Sequence, residues 1–130
     1  MLIQPWSAEF DDYLHDESRT RGTADSISFP RTEDELRAVL RELHPSAVPI
    51  TVQGARTGLA AGAVPEGGHV LNLSRMNRCL GLRQDASGAF YLRVQPGLVL
   101  SELRKYLSAK AFPMDGWDEP SRAAAARLAE

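Results

Sequence analysis

Little in this chain is chemically reactive or strongly charged. The single cysteine, Cys79, cannot form an internal disulfide, which fits a reducing, cytoplasmic setting. It reads as a small buried side chain rather than a reactive thiol. His15, His44 and His69 have no ligand spacing to one another or to Cys79, so solvated or capping histidines are expected and no metal site. Positive charge is not concentrated. The 15 Lys and Arg against 17 Asp and Glu leave a net charge of -2, which offers no footing for nucleic acid or an anionic membrane. The opening residues reach Asp11 and Asp12 without a sustained apolar run, so they read as neither signal peptide nor membrane span. A soluble intracellular protein is expected. Ser74 and Ser101 lack a nearby base and a nucleophile elbow, leaving hydrolase chemistry without support. Trp6 and Trp117 sit in no basic aromatic cluster and read as packing residues.

What is present is ordinary globular material: 130 residues, 43% hydrophobic and 25% charged, enough for one modest domain with a core. Phe10, Tyr13 and Leu14 share a helical face behind Ser7, a plausible N-cap. Asp11, Asp12, Asp16 and Glu17 read as a solvated helix end. Residues 26–29 predict a strand stopped by Pro30. Thr32 and Glu35 form a capping-box pattern ahead of a Leu36, Val39, Leu40, Leu43 stripe that Pro45 ends. Residues 47–52 predict a β-branched strand buried on both sides, and strand, helix, strand implies a parallel βαβ unit. Residues 70–73 predict a third strand. Arg75 and Arg78 read as exposed. In residues 80–94, Leu80 and Leu82 on one arm answer Phe90, Leu92 and Val94 across a turn made by Asp85, Ser87 and Gly88. A helix with Leu100, Leu103 and Leu107 inward follows, stopped by Pro113, and an alanine-rich helix follows Ser121.

The densest feature is VQGARTGLAAGAVPEGG, directly behind the second strand. Glycine has no Cβ, so Gly54, Gly58 and Gly62 let consecutive amides turn toward one concave spot, an arrangement suited to phosphate oxygens. The spacing is neither that of the dinucleotide fingerprint nor that of the P-loop. On residue chemistry alone, a connection that merely needs room to turn explains it equally well.

The run VPITVQGARTGLAAGAVPEGGHVLNLSRMNR resembles the cofactor loop of the FAD-binding PCMH-type flavoproteins, in particular the glycolate oxidase FAD-subunit and D-lactate dehydrogenase group. That family's pattern runs P-x-T-x-R-G-x-G-T-G-L-x-G-G-A-x-P, then a strand and L-S-x-M-N. YLHDESRTRGTADSISFPRTEDELRAVL before the loop, with VQPGLVLSEL and FPMD after it, extends the likeness over residues 13–115. The resemblance implies an α+β fold: a first subdomain with a small parallel βαβ sheet, then the start of a second, antiparallel subdomain. It implies that Gln53, Gly54, Ala55, Arg56, Thr57 and Gly58 form the loop whose main-chain amides hold the FAD pyrophosphate. Thr57 would add a hydroxyl donor, Leu59 would pack near the flavin, and Pro113 and Asp115 match a second segment passing close to the cofactor. The implied chemistry is hydride transfer from the α-carbon of a 2-hydroxy acid to the flavin.

Several positions depart from that pattern. Gln53 stands where the family often has Arg, and Arg56 where Gly is usual, at a cost of roughly 1 kcal/mol if its backbone is left-handed. Ala61 replaces another usual Gly. No His lies in the loop, so the FAD is expected to be dissociable rather than covalently linked. GWDEPSRAAAARLAE stands where the family carries a Thr-Ile-Gly-Gly-like run. The family's substrate-binding and catalytic residues have no counterpart, so residues 1–130 are expected to be the N-terminal portion of such a domain and inactive alone. An apolar face left open on the second subdomain would favour a homodimer. For the parent, the family implies an electron-transfer partner: a quinone, a cytochrome or an iron–sulfur subunit. A non-catalytic scaffold or interaction module that keeps the fold is the alternative.

Overall fold

In the computed structural model, which describes residues 1–130, the chain divides into two compact units, Met1–Met76 and Asn77–Glu130. The first is built on a four-stranded sheet of β1 (Gln4–Pro5), β2 (Ser26–Ser28), β3 (Ile50–Gln53) and β4 (His69–Asn72), in the order β1-β2-β4-β3. β1 runs antiparallel to β2, while β2 and β3 both run parallel to β4. The expected βαβ unit is therefore opened out. β2 and β3 are parallel, but β4 lies between them and takes the ladder of both.

This order reverses one expectation about burial. β3 is an edge strand, not a strand buried on both sides: Ile50 is 37% exposed and Val52 54% exposed. The central place belongs to β4, whose four residues are all buried. Ile27 and Val70 are fully buried from adjacent strands, and Phe10 and Phe29 close that cluster. Each such side chain contributes about 1.5–3 kcal/mol by leaving water.

α1 (Glu33–Leu43) starts as its cap pattern requires: the Glu35 N–H donates to the Thr32 hydroxyl at 3.1 Å. The return bond comes one residue earlier than in the standard box, with the Arg31 N–H donating to Glu35 Oε2 at 2.9 Å. Val39 and Leu43 pack on Leu71, while Leu40 is 39% exposed. Ahead of β2, residues Ala8–Leu14 form a 3-10 helix that buries Phe10 and Leu14; Ser7 stands at its N-cap but makes no side-chain cap bond.

In the second unit, β5 (Cys79–Gln84) and β6 (Phe90–Val94) form the expected antiparallel hairpin. Leu82 faces Leu92, but a bulge between Cys79 and Gly81 shifts the register and leaves Leu80 39% exposed. The turn is tied by Asp85 Oδ1, which accepts from the N–H groups of Ser87 and Ala89. α3 (Glu119–Ala129) lies on β5, where Ser121 Oγ accepts from the Leu82 N–H at 3.1 Å. Asp118 caps α3 through the Ser121 N–H and pairs with Arg83 at 2.6 Å, and that guanidinium holds its carboxyl down to about 2.

α2 (Leu100–Ala109) departs from the periodicity argument, because it buries no residue. Leu100 and Leu107 are exposed, and Tyr106 is the side chain that packs inward, 6.4 Å from the Phe112 ring. Phe112 stacks in turn on the buried Trp117, whose indole donates to Cys79 O at 2.9 Å. The large aromatic surface outcompetes the leucine stripe for the core.

Candidate functional site

β3 delivers the chain into residues 54–68 at its buried terminal residue, Gln53. Gln53 Nε2 donates to Tyr13 O at 2.7 Å and to Ala63 O at 2.8 Å, and its Oε1 accepts from Asn72 Nδ2 at 3.0 Å. Ala63 stands ten residues further along, so this one amide ties both ends of the glycine loop together and to the 3-10 helix. The Gln53 side chain is wholly occupied in this way; what it offers a ligand is confined to its main chain.

Arg56 makes the second tie. Its Nη1 donates to Asp12 O and to His15 O, and its guanidinium lies 4.7 Å from the centre of the Tyr13 ring. Its φ is 58° and that of Ala61 is 63°, so both non-glycine residues are left-handed, at roughly 1 kcal/mol each. Strain of this kind persists where the surroundings over-determine the backbone, and the Arg56 side-chain anchors supply that here.

The loop's glycines are unexplained by the chain itself. A Cβ on Gly22 would meet Pro65 O at 1.8 Å, so close packing demands that glycine. A Cβ on Gly54 or Gly62 would meet nothing within 4 Å, and one on Gly58 only Asp16 Oδ2 at 3.9 Å. None of the three has a positive φ. Neither packing nor backbone conformation requires them. The main-chain N–H groups of residues 54–62 likewise find no acceptor within the chain. Donor-rich backbone with no side chain in front of it is a surface matched to a close-lying anion. Thr57 is exposed and Leu59 is 80% exposed on the same stretch, while Ala55 is exposed beside Gly54.

Residue reasoning missed the platform beneath this loop. Asp16, grouped with a solvated acidic helix end, is only 5% exposed. The Ser18 hydroxyl foremost, then the main-chain N–H groups of Ser18 and Ala63, hold its carboxyl below the usual range, against the effect of burial. His69, expected to be solvated or capping, is fully buried between Ser26 Oγ and Ser28 Oγ, each 2.7 Å from a ring nitrogen. Burial pushes its pKa down. Nothing in local spacing marks either residue, because strand pairing and loop return bury them.

Pro113 and Asp115 belong to the second unit, whereas Gln53, Gly54, Ala55, Arg56, Thr57, Gly58 and Leu59 belong to the first. Both line a cavity of about 390 Å³ together with Arg78, Cys79 and Tyr106. Arg78 Nη2 donates to Asp115 O at 3.2 Å. Burial pushes the Cys79 thiol up, away from the reactive thiolate.

The profile of the FAD binding domain family matches residues 24–119, and so takes in the loop, both parallel strand pairs and the second-unit cavity. The chain belongs to the FAD-binding domain family. D-lactate dehydrogenase of Anaerostipes hadrus is 34% identical over 96 residues, 72% of this chain and 20% of that protein. The mitochondrial D-2-hydroxyglutarate dehydrogenase of Rattus norvegicus is 33% identical over 95 residues, 72% of this chain and 17% of that protein. The chain thus spans about a fifth of the length of these relatives. Among solved structures, 6-hydroxy-D-nicotine oxidase from Arthrobacter nicotinovorans superposes with a TM-score of 0.64 at 20% identity, covering 82% of this chain and 23% of that one. At that identity the likeness speaks for the fold, a mixed α+β domain of the PCMH type. FAD is the cofactor of this domain, and the loop's unclaimed amides and uncrowded glycines fit its diphosphate.

Proposed function

We propose that the chain is the FAD-binding portion of a flavin-dependent dehydrogenase acting on a 2-hydroxy acid of the D-lactate or D-2-hydroxyglutarate type. Gly54, Ala55, Arg56, Thr57 and Gly58 hold the diphosphate through their main-chain N–H groups, and Gln53 fixes the loop at the end of β3. The observation that carries this reading is the coincidence of unclaimed N–H donors with glycines whose absent side chains the chain does not need. When bound, FAD supplies two-electron oxidation chemistry. The residues of the chain bind and orient: Thr57 adds a hydroxyl donor and Leu59 an apolar contact. The relatives support the substrate class, and their names support a D-configured 2-hydroxy acid over other flavoenzyme substrates.

The test is titration of the purified chain with FAD, read by flavin fluorescence and by the shift in melting temperature. Saturable binding that Gly58→Trp abolishes is the expected result. Binding that survives Gly58→Trp removes the loop from the site. No binding by the unaltered chain, with binding restored in a longer version of it, leaves a folded portion of a flavoenzyme; no binding by either overturns the cofactor reading and leaves a scaffold that has kept the fold.

A further inference from the structure

The Asp16 carboxylate has one oxygen that nothing in the chain serves. Oδ1 accepts from the Ser18 N–H at 2.8 Å. Oδ2 is closed off from solvent and accepts no hydrogen bond, and the Ala63 N–H, though it faces the carboxylate, does not serve that oxygen. Buried carboxylate oxygens are costly without a donor, so one that persists calls for a state in which a donor arrives.

The geometry indicates where that donor comes from. A first side-chain carbon on Gly58 would lie 3.9 Å from Oδ2, so the Gly58 backbone stands against this oxygen. The N–H groups of Thr57, Gly58 and Leu59 have no acceptor within the chain. An acceptor without a donor thus sits beside donors without an acceptor. Three further bonds already join the same segments, from Gln53 to Tyr13 O and from Arg56 to Asp12 O and His15 O. Asp16 is the next residue of that platform.

We propose that Asp16 is a positioning residue for the cofactor loop: as an organic diphosphate binds, one main-chain N–H of residues 57–59 donates to Asp16 Oδ2. That bond fixes the peptide planes of the turn and thereby aims the remaining N–H groups at the diphosphate. The inference rests on the cofactor reading above. Direct contact between Asp16 and the ligand is disfavoured on two grounds. Its oxygen is shielded from solvent, and two like charges brought together away from water repel strongly. A charge-assisted bond from the loop's own backbone carries no such penalty.

The test uses Asp16→Asn and Asp16→Ala in the full 130-residue chain, titrated with FAD and with ADP, alongside ligand-free melting. Asparagine keeps the shape and the acceptor for the Ser18 N–H, but it presents an NH₂ donor where Oδ2 was. The expected result is an Asp16→Asn chain that melts close to the unaltered one and binds FAD and ADP at least about tenfold more weakly. Unaltered affinity for both ligands in Asp16→Asn overturns the proposal. A measurement on the unaltered chain covers the case in which the variants fail to fold. Saturated with ADP, it should show a scalar coupling across a hydrogen bond from Asp16 Cγ to the amide nitrogen of Thr57, Gly58 or Leu59. Its absence also overturns the proposal. No binding of either ligand by the unaltered chain moves the same comparison to a longer version of it, and no binding there overturns the cofactor reading itself, and this inference with it.

Discussion

The Gln53 side-chain amide donates to the main-chain oxygen of Tyr13 at 2.7 Å, joining the end of an edge strand to a 3-10 helix forty residues earlier. With its bonds to Ala63 O and Asn72 Nδ2, this amide holds the shape of a loop that has little regular structure of its own. Gln53→Ala removes a fully buried side chain and leaves three polar partners without a bond. The expected cost is about 2–4 kcal/mol, read from the urea midpoint of the first unit's transition. Gln53→Glu should cost at least as much, because a carboxylate would face two carbonyl oxygens.

Glycines in this chain serve two different purposes, and alanine substitution separates them. Gly22→Ala drives a methyl group into Pro65 O and should destabilise by roughly 3 kcal/mol or more. Gly54→Ala meets open space at an ordinary φ, so its stability should stay within about 0.5 kcal/mol. Its FAD affinity should nevertheless fall, since the methyl group occupies the approach to the loop amides. Melting and FAD titration of the two variants check both halves of the contrast.

The Arg83–Asp118 pair makes the second unit acid-sensitive. Arg83, with the N-cap bond from the Ser121 N–H, lowers the Asp118 pKa from 3.8 to about 2 in the folded chain. The stabilisation is therefore complete above the unfolded value and is lost as pH falls from about 4 toward about 2. Asp118→Asn should lower the melting temperature at neutral pH and flatten the acid limb over that window. Circular dichroism melts between pH 2 and pH 7 read both effects.

His69 acts in a higher window with the same sign. Burial between Ser26 and Ser28 lowers its folded pKa below the ordinary 6.5, so the folded state prefers the neutral ring. Its contribution is present above that value and is lost as pH falls below it, because the unfolded chain takes up the proton more readily. The urea midpoint should drop between pH 7.5 and pH 5.5, and His69→Gln should remove most of that slope.

The amino-acid sequence by itself determined the features whose causes are local. The Thr32 and Glu35 cap, the helix that Pro45 ends, the hairpin around Asp85 and Gly88 and the glycine-rich loop behind β3 each depend on neighbours a few residues apart. The family pattern carried the same loop to a cofactor. Tertiary structure alone decided the rest. Inserting β4 between β2 and β3 turned the β-branched β3 into an exposed edge and buried His69 in the sheet. The inward turn of Tyr106 left Leu100 and Leu107 in solvent. Gln53, Arg56 and Asp16 became one platform because the chain returns past its own beginning. Burial and hydrogen-bond partners depend on what lies opposite in space, and residues forty positions apart carry no mark of that in their spacing.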